Sequence, residues 1–407
     1  MNLTKKTRNA LSAVSLIFLS ACGESTSSKA GPEYGLTSDF TENELITHLV
    51  DQVIKPRHES FSAALAAQEQ SLEAYCTTIE TQTDSSSELT QVQNDFTALM
   101  ASWQQIEVMQ MTPLSENSAA LRNTIYSWPR ENSCAVDQDV AFNAEGSVNG
   151  QNYDISKRSD TRKGLDAFEY LIYNQNLTHS CSLETGALVG WNQLDENTRK
   201  IQRCDFAKVV LSDLKTRSDE LQVKWYTADN AYQNELKNGD PRSAINTLGQ
   251  ALFYADYQIK DQKLGMPLGY FNNQCGNAPC AAEVESKHAK LAIKNLQNNL
   301  IAFEALFTGK TSEHAADSDE AIGFDDYLQA VGDSETSEVI LTALQNAQTQ
   351  LADIQSDFAT ALTNQNSDFE KIEALHAQIK VITDQLKTHF ITSLSVELPD
   401  TSAGDND

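Results

Sequence analysis

The sequence predicts an all-α protein made of two antiparallel helical bundles, with long connecting loops pinned by disulfides. Apolar residues recur at spacings of three and four over long stretches, as one buried helix face requires. No convincing run alternates apolar and polar residues as a half-buried strand would, and Gly and Pro gather in the connections. With 40% hydrophobic residues the chain can form a core despite a formal net charge of −27.

Leu45 to Thr78 forms the first long helix, with Pro56 near its early turns, and Glu88 to Met111 the second. Helices are also expected over Asp195 to Leu236, Pro241 to Lys260 and Ala282 to Phe307. The clearest pair comes last. Ile340, Leu344, Ala347, Leu351, Ile354 and Phe358 form one apolar stripe, and Phe369, Ile372, Leu375, Ile379, Ile382, Leu386 and Phe390 another. The short turn from Asn364 to Ser367 makes these two helices antiparallel neighbours. Asn238-Gly239-Asp240-Pro241 marks a boundary, giving an N-terminal bundle over 41–238 and a C-terminal bundle over 239–395. Residues 396–407 read as a disordered acidic tail, and Thr112 to Asp160 and Asp261 to Ala281 as long loops.

Residues 1–22 carry an export pattern. Lys5, Lys6 and Arg8 precede a short apolar core, which ends in Leu19-Ser20-Ala21-Cys22, a lipobox-like sequence. Acylation of Cys22 would anchor the chain to a membrane, and the Ser/Gly-rich residues 23–40 would serve as a flexible tether. Gly23 rather than Asp follows the cysteine, which points to the outer membrane of the periplasm rather than the inner membrane. The six remaining cysteines, Cys76, Cys134, Cys181, Cys204, Cys275 and Cys280, suit three disulfides in that oxidising space. Nearest-neighbour pairing is favoured among the fifteen possibilities. Nucleic acid is excluded as a partner, because phosphate binding needs a basic patch and none is present.

The chemistry concentrates in Arg158 to Tyr173, RSDTRKGLDAFEYLIY. On a helix, Leu165, Phe168 and Ile172 make an apolar face, and Asp166, Glu169, Tyr170 and Tyr173 line up beside it. Two carboxylates one turn apart repel, more strongly where water is excluded, and so call for a cation or a shared proton. The simpler alternative pairs Asp166 with Arg162 on a wet surface. Trp103 and Trp128 read first as core anchors. His288, three residues after Glu285, would share a helix face with it.

An ordered set of motifs then carries a resemblance. It runs through Trp103-Gln104-Gln105-Ile106-Glu107, Met111-Thr112-Pro113, Trp128-Pro129 and Arg162-Lys163-Gly164-Leu165-Asp166-Ala167-Phe168-Glu169-Tyr170-Leu171. It continues through Leu264-Gly265-Met266-Pro267-Leu268-Gly269, Glu285-Ser286 and Gly323-Phe324-Asp325-Asp326-Tyr327-Leu328. Together these resemble the imelysin-like lipoproteins over nearly all of Leu45 to Leu394. The resemblance implies two related helical bundles, a periplasmic or outer-membrane location and an association with iron uptake. The family is nominally one of peptidases.

Its Gly-x-His-x-x-Glu signature falls on Gly164, Asp166 and Glu169, so Asp replaces the histidine. An oxygen ligand favours hard ions over zinc. There is no HExxH and no GxSxG, so neither a zinc-protease helix nor a serine nucleophile elbow is present. The expected site is therefore a non-enzymatic cleft in which Asp166, Glu169, Glu107 and Glu285 meet a divalent or ferric cation or an iron-uptake partner. Gly164, Arg162, Tyr170, Trp103, Trp128 and Ser286 would support it. A metallopeptidase is the alternative reading.

Overall fold

The structure is a computed structural model that describes residues 40–311 and 321–399. The signal segment, Cys22, the tether and the end of the acidic tail lie outside those residues.

The first helix of the described residues, α1 (Glu42–His48), runs through a π-wound turn into α2 (Lys55–Glu80). A short turn reverses it into α3 (Ser86–Glu107), which packs along α2. Phe61, Leu65 and Leu72 on α2, and Val92, Phe96 and Leu99 on α3, are buried at the three- and four-residue spacing seen in the sequence. Each such side chain contributes about 1.5–3 kcal/mol of transfer free energy.

The expected loop from Thr112 to Asp160 is not structureless. It holds α4 (Glu116–Ile125), α5 (Ser133–Glu145) and a small antiparallel hairpin, β1 (Ser147–Val148) with β2 (Gln151–Asn152). Asn132 starts α5 by accepting the Ala135 N–H at 3.0 Å. After α6 (Gly164–Tyr173), Asp195 caps α7 (Glu196–Gln222), which packs against α2, α5 and α6.

The stretch expected to be helical up to Leu236 breaks after Thr227 and resumes as α8 (Tyr232–Asn238). Asp240 and Pro241 then start α9 (Pro241–Ala251) as cap and first residue. The chain continues as a π-wound segment, Ala255–Gly265, and the short α10 (Met266–Leu268).

Two expected helices differ. The helix assigned to Ala282–Phe307 starts only at Ala292, as α11 (Ala292–Thr308). Ser286 and Lys290 adopt left-handed backbone, and the N–H groups of His288 and Ala289 point to a distant carboxylate instead of helix carbonyls. His288 and Glu285 therefore do not share a helix face. After α12 (Phe324–Ala330), α13 (Ser334–Asp353) ends before the apolar stripe does. Ile354 is extended, and Asp357 caps a new helix, α14 (Phe358–Asn364), through the Thr360 N–H at 3.1 Å. The expected antiparallel partner follows as α15 (Ser367–Gln385) and packs along α13. A π turn leads from it into α16 (Ile391–Leu394).

All six cysteines are paired, but not as nearest neighbours throughout. Cys76–Cys204 ties α2 to α7, and Cys134–Cys181 ties α5 to the loop after α6. Only Cys275–Cys280 closes the local loop that was expected. The reason is spatial: packing lays α7 on α2, so partners distant in sequence meet. Among the described residues no helix is long and apolar enough to cross a membrane. The buried residues form a contiguous core in which α3 packs on α11 and α1 on α9.

Candidate functional site

Gly164 opens α6 with φ +83°. A Cβ there would lie 2.8 Å from the Ile125 carbonyl oxygen and 2.9 Å from that of Thr124. Only glycine permits this approach, which presses the first turn of α6 against the end of α4. Every residue from Gly164 to Ile172 is then buried, polar ones included.

The contact brings Asp166 to the chain reversal after α4. Its Oδ2 accepts the Ser127 N–H at 2.6 Å, the Ser127 hydroxyl at 3.0 Å and the Trp128 N–H at 3.0 Å. One turn on, Glu169 Oε1 accepts the N–H groups of His288 and Ala289, both at 3.0 Å. This explains the missing helical turn before α11: its N–H groups satisfy a buried acid.

Both carboxylates line a polar cavity of about 130 Å³, with Trp128, Glu131, Glu283, Ser286 and His288 among its walls. Burial pushes Asp166 up to about 7, against the hydrogen bonds of Ser127. Burial likewise raises Glu169 to about 8; the Ala289 N–H opposes that shift and the neighbouring Asp166 charge adds to it. Near neutral pH the pair thus retains protons that an incoming cation would displace.

Glu107 and Glu285 lie in an adjoining buried layer and do not line this cavity. Arg122 forks onto Glu107, and Lys263 lies 3.3 Å from Glu107 Oε2 and 3.0 Å from Glu285 Oε1. Burial pushes the Glu107 carboxyl up, but Lys263 and Arg122 outweigh it and hold the group below its ordinary value. Glu285 also accepts from Gln104 Nε2 at 3.1 Å and from the Tyr126 hydroxyl at 2.7 Å. Two acids here face two bases, so this layer is neutral and carries its own counter-ions.

The remaining expected residues divide. Trp128 walls the cavity, with Lys263 Nζ 6.0 Å from its ring centroid. Ser286 also lines the cavity and accepts from Asn295 at 3.0 Å. Trp103 is core, tilted against Phe61. Tyr170 turns its hydroxyl away to Asp137 at 2.9 Å, beside Arg203, while His288 packs against its ring. Tyr173 donates to the Gln93 carbonyl at 2.8 Å. Arg162 pairs with Asp139 at 2.8 Å rather than with Asp166. The stripe on α6 therefore splits, with carboxylates to the cavity and tyrosines to structural partners.

Sequence reasoning missed Ser127, Arg122, Tyr126 and Lys263. Lys263 stands immediately before the quoted Leu264–Gly269 motif, and Ser127 immediately before Trp128-Pro129. Adjacency was the available signal.

The donor set does not suit a tightly held resident metal. Asp166 and Glu169 each already have an oxygen occupied by N–H donors, and among the described residues no three His, Cys, Asp or Glu side chains converge on one point. At the family's histidine position stands an acid.

Two solved structures share the fold. One, from Parabacteroides distasonis ATCC 8503, is described as an iron-regulated protein A precursor. It has 14% identity and a TM-score of 0.65, covering 87% of this chain and 94% of that one. The other is an imelysin-like protein from Psychrobacter arcticum 273-4, with 15% identity and a TM-score of 0.60, covering 89% and 99%. No curated protein matches significantly. The Imelysin family model, named among the peptidases, matches residues 54–388. That span contains the Gly164–Asp166–Glu169 helix and both layers of acids, and the chain belongs to the imelysin family.

Proposed function

We propose that this protein is a non-enzymatic binding component of a bacterial cell envelope, tethered through lipidated Cys22 and linked to iron or metal uptake. The observation that carries the reading is the pair of buried carboxylates, Asp166 and Glu169, facing one polar cavity with raised proton affinity. A cation, or a ligand bearing one, is the cargo such a cavity suits. It would displace the retained protons and balance the charge of the carboxylates so formed. The fold neighbour described as iron-regulated supports the metal link. The lipobox at Leu19–Cys22 supports the lipid anchor, and Gly23 in place of Asp supports the outer-membrane location.

Calorimetric titration of the mature protein with iron, calcium, copper and zinc ions tests this reading in two buffers of different ionisation enthalpy. Binding with proton release is expected in wild type and lost in Asp166→Asn/Glu169→Gln. Saturation at a hundredfold excess over the dissociation constant would add about 2.7 kcal/mol of stability. Asp166→His should shift preference towards nitrogen-favouring ions. Equal binding by all three proteins, or none by any, refutes the proposal. The family's peptidase name supplies the competing reading. Metal-dependent cleavage of insulin or casein that vanishes in Glu169→Gln would establish it instead.

A further inference from the structure

A second and larger cavity, of about 1000 Å³, lies apart from the carboxylates. Its walls come from the segment after α3, from α4, α8 and α9, from the π-wound segment and from the irregular residues 397–399. Three tyrosines line it: Tyr232, Tyr254 and Tyr257. Tyr254 is buried, and its ring lies 5.6 Å from Lys263 Nζ, so it partitions this cavity from the charged layer. Tyr232 is fixed edge-on to Trp225 at 5.1 Å. Tyr257 lines the cavity and is 41% exposed, so part of its ring is open to solvent.

Three amides, Gln110, Gln250 and Gln258, share the walls with hydroxyl side chains. The Gln110 amide nitrogen is buried without a hydrogen-bond partner among the described residues. Gln250 holds the C-terminal wall by donating to the Glu397 carbonyl at 3.2 Å, and the Glu397 N–H donates to Asn246 at 2.6 Å. Glu397 is also the one charged residue lining the cavity among the described residues.

This lining excludes several ligand classes. Phosphates and nucleotides need cations or an anion-binding helix terminus, and no basic side chain is present. A strongly basic ligand would find one exposed acid. A peptide docking by strand addition needs a free sheet edge, which these helical walls lack. Aromatic faces interleaved with neutral amides and hydroxyls suit a ligand with apolar C–H faces and many hydroxyls. The volume lies at the upper end of the roughly 300–1,000 Å³ typical of small-molecule sites. We propose that this cavity binds a short neutral oligosaccharide, with Tyr257 as the stacking platform and Gln110, Gln250 and Gln258 as hydroxyl partners. The site is independent of the carboxylate cavity.

The test is saturation-transfer NMR and calorimetry of the mature protein with maltotriose, cellotriose and chitotriose. At least one trisaccharide should bind. Tyr257→Ala and Gln258→Ala should each weaken it about tenfold, the usual scale for removing a central contact. Tyr257 is exposed and Gln258 half-buried, so melting temperatures of these two rim variants should stay at wild-type values. Asp166→Asn/Glu169→Gln should leave saccharide affinity unchanged, which separates this proposal from the cation reading. Failure of all three saccharides to bind overturns it. So does binding that both rim variants leave intact, or capture of neutral peptides with no saccharide binding.

Discussion

Asp166 and Arg122 are joined through a single peptide residue. The Trp128 N–H donates to Asp166 at 3.0 Å, and the Trp128 carbonyl accepts from Arg122 Nη1 at 3.1 Å. Arg122 in turn neutralises Glu107. One turn of chain thus couples the proton-holding acids at the cavity to the ion-paired acids beneath them. Moving Trp128 would disturb both layers.

Stability should fall with rising pH because of the cavity acids. Burial raises both in the folded state, Asp166 to about 7 and Glu169 to about 8, above their ordinary values of 3.8 and 4.5. The folded state therefore binds more protons than the unfolded one. The contribution is full below about pH 4 and lost as pH rises through 7 and 8. Asp166→Asn/Glu169→Gln should flatten this slope and be more stable than wild type at pH 8. Urea unfolding from pH 4.5 to 8.5 measures it; parallel slopes would contradict the assignment.

Lys263→Met should destabilise strongly, by about 3–5 kcal/mol, because Glu107 and Glu285 would lose a shared buried counter-charge. Adding Glu285→Gln should recover part of that loss. A double-mutant cycle that is additive would mean the two groups are not coupled.

Gly164→Ala should cost more than 1 kcal/mol, since it adds both a left-handed alanine and a clash with two backbone carbonyls. Because α6 would shift away from α4, the Asp166 hydrogen bonds should loosen as well. Amide exchange at Ser127 and Trp128 would accelerate; unchanged protection would separate Gly164 from the site.

Denatured, unreduced mature protein should expose no alkylatable thiol, with Cys76–Cys204, Cys134–Cys181 and Cys275–Cys280 recovered by peptide mapping. On the loop-entropy model these bridges stabilise by about 5, 4 and 2 kcal/mol for separations of 128, 47 and 5 residues. Removing the first pair should lower the melting temperature most. Recovery of Cys76–Cys134 would reject this topology.

Local information in the chain was enough for the fold class, most helices and the identity of the key helix. Apolar spacing is a property of neighbours three and four apart, so α2, α3, α13 and α15 could be read before any packing was known. The Asp166–Glu169 spacing was readable for the same reason, while the place of Gly164 beside them came from the family resemblance. Beyond the antiparallel pair α13 and α15, packing decided which helix meets which, and hence which cysteines pair: Cys76 finds Cys204 only because α7 lies on α2. It also decided what each acid faces. Asp166, Glu169, Glu107 and Glu285 look alike in sequence, but Arg122 and Lys263 neutralise two of them, while backbone N–H groups and a cavity surround the others. Charge compensation depends on distances of a few ångströms between segments 15, 22 and 156 residues apart, and no local pattern encodes those distances.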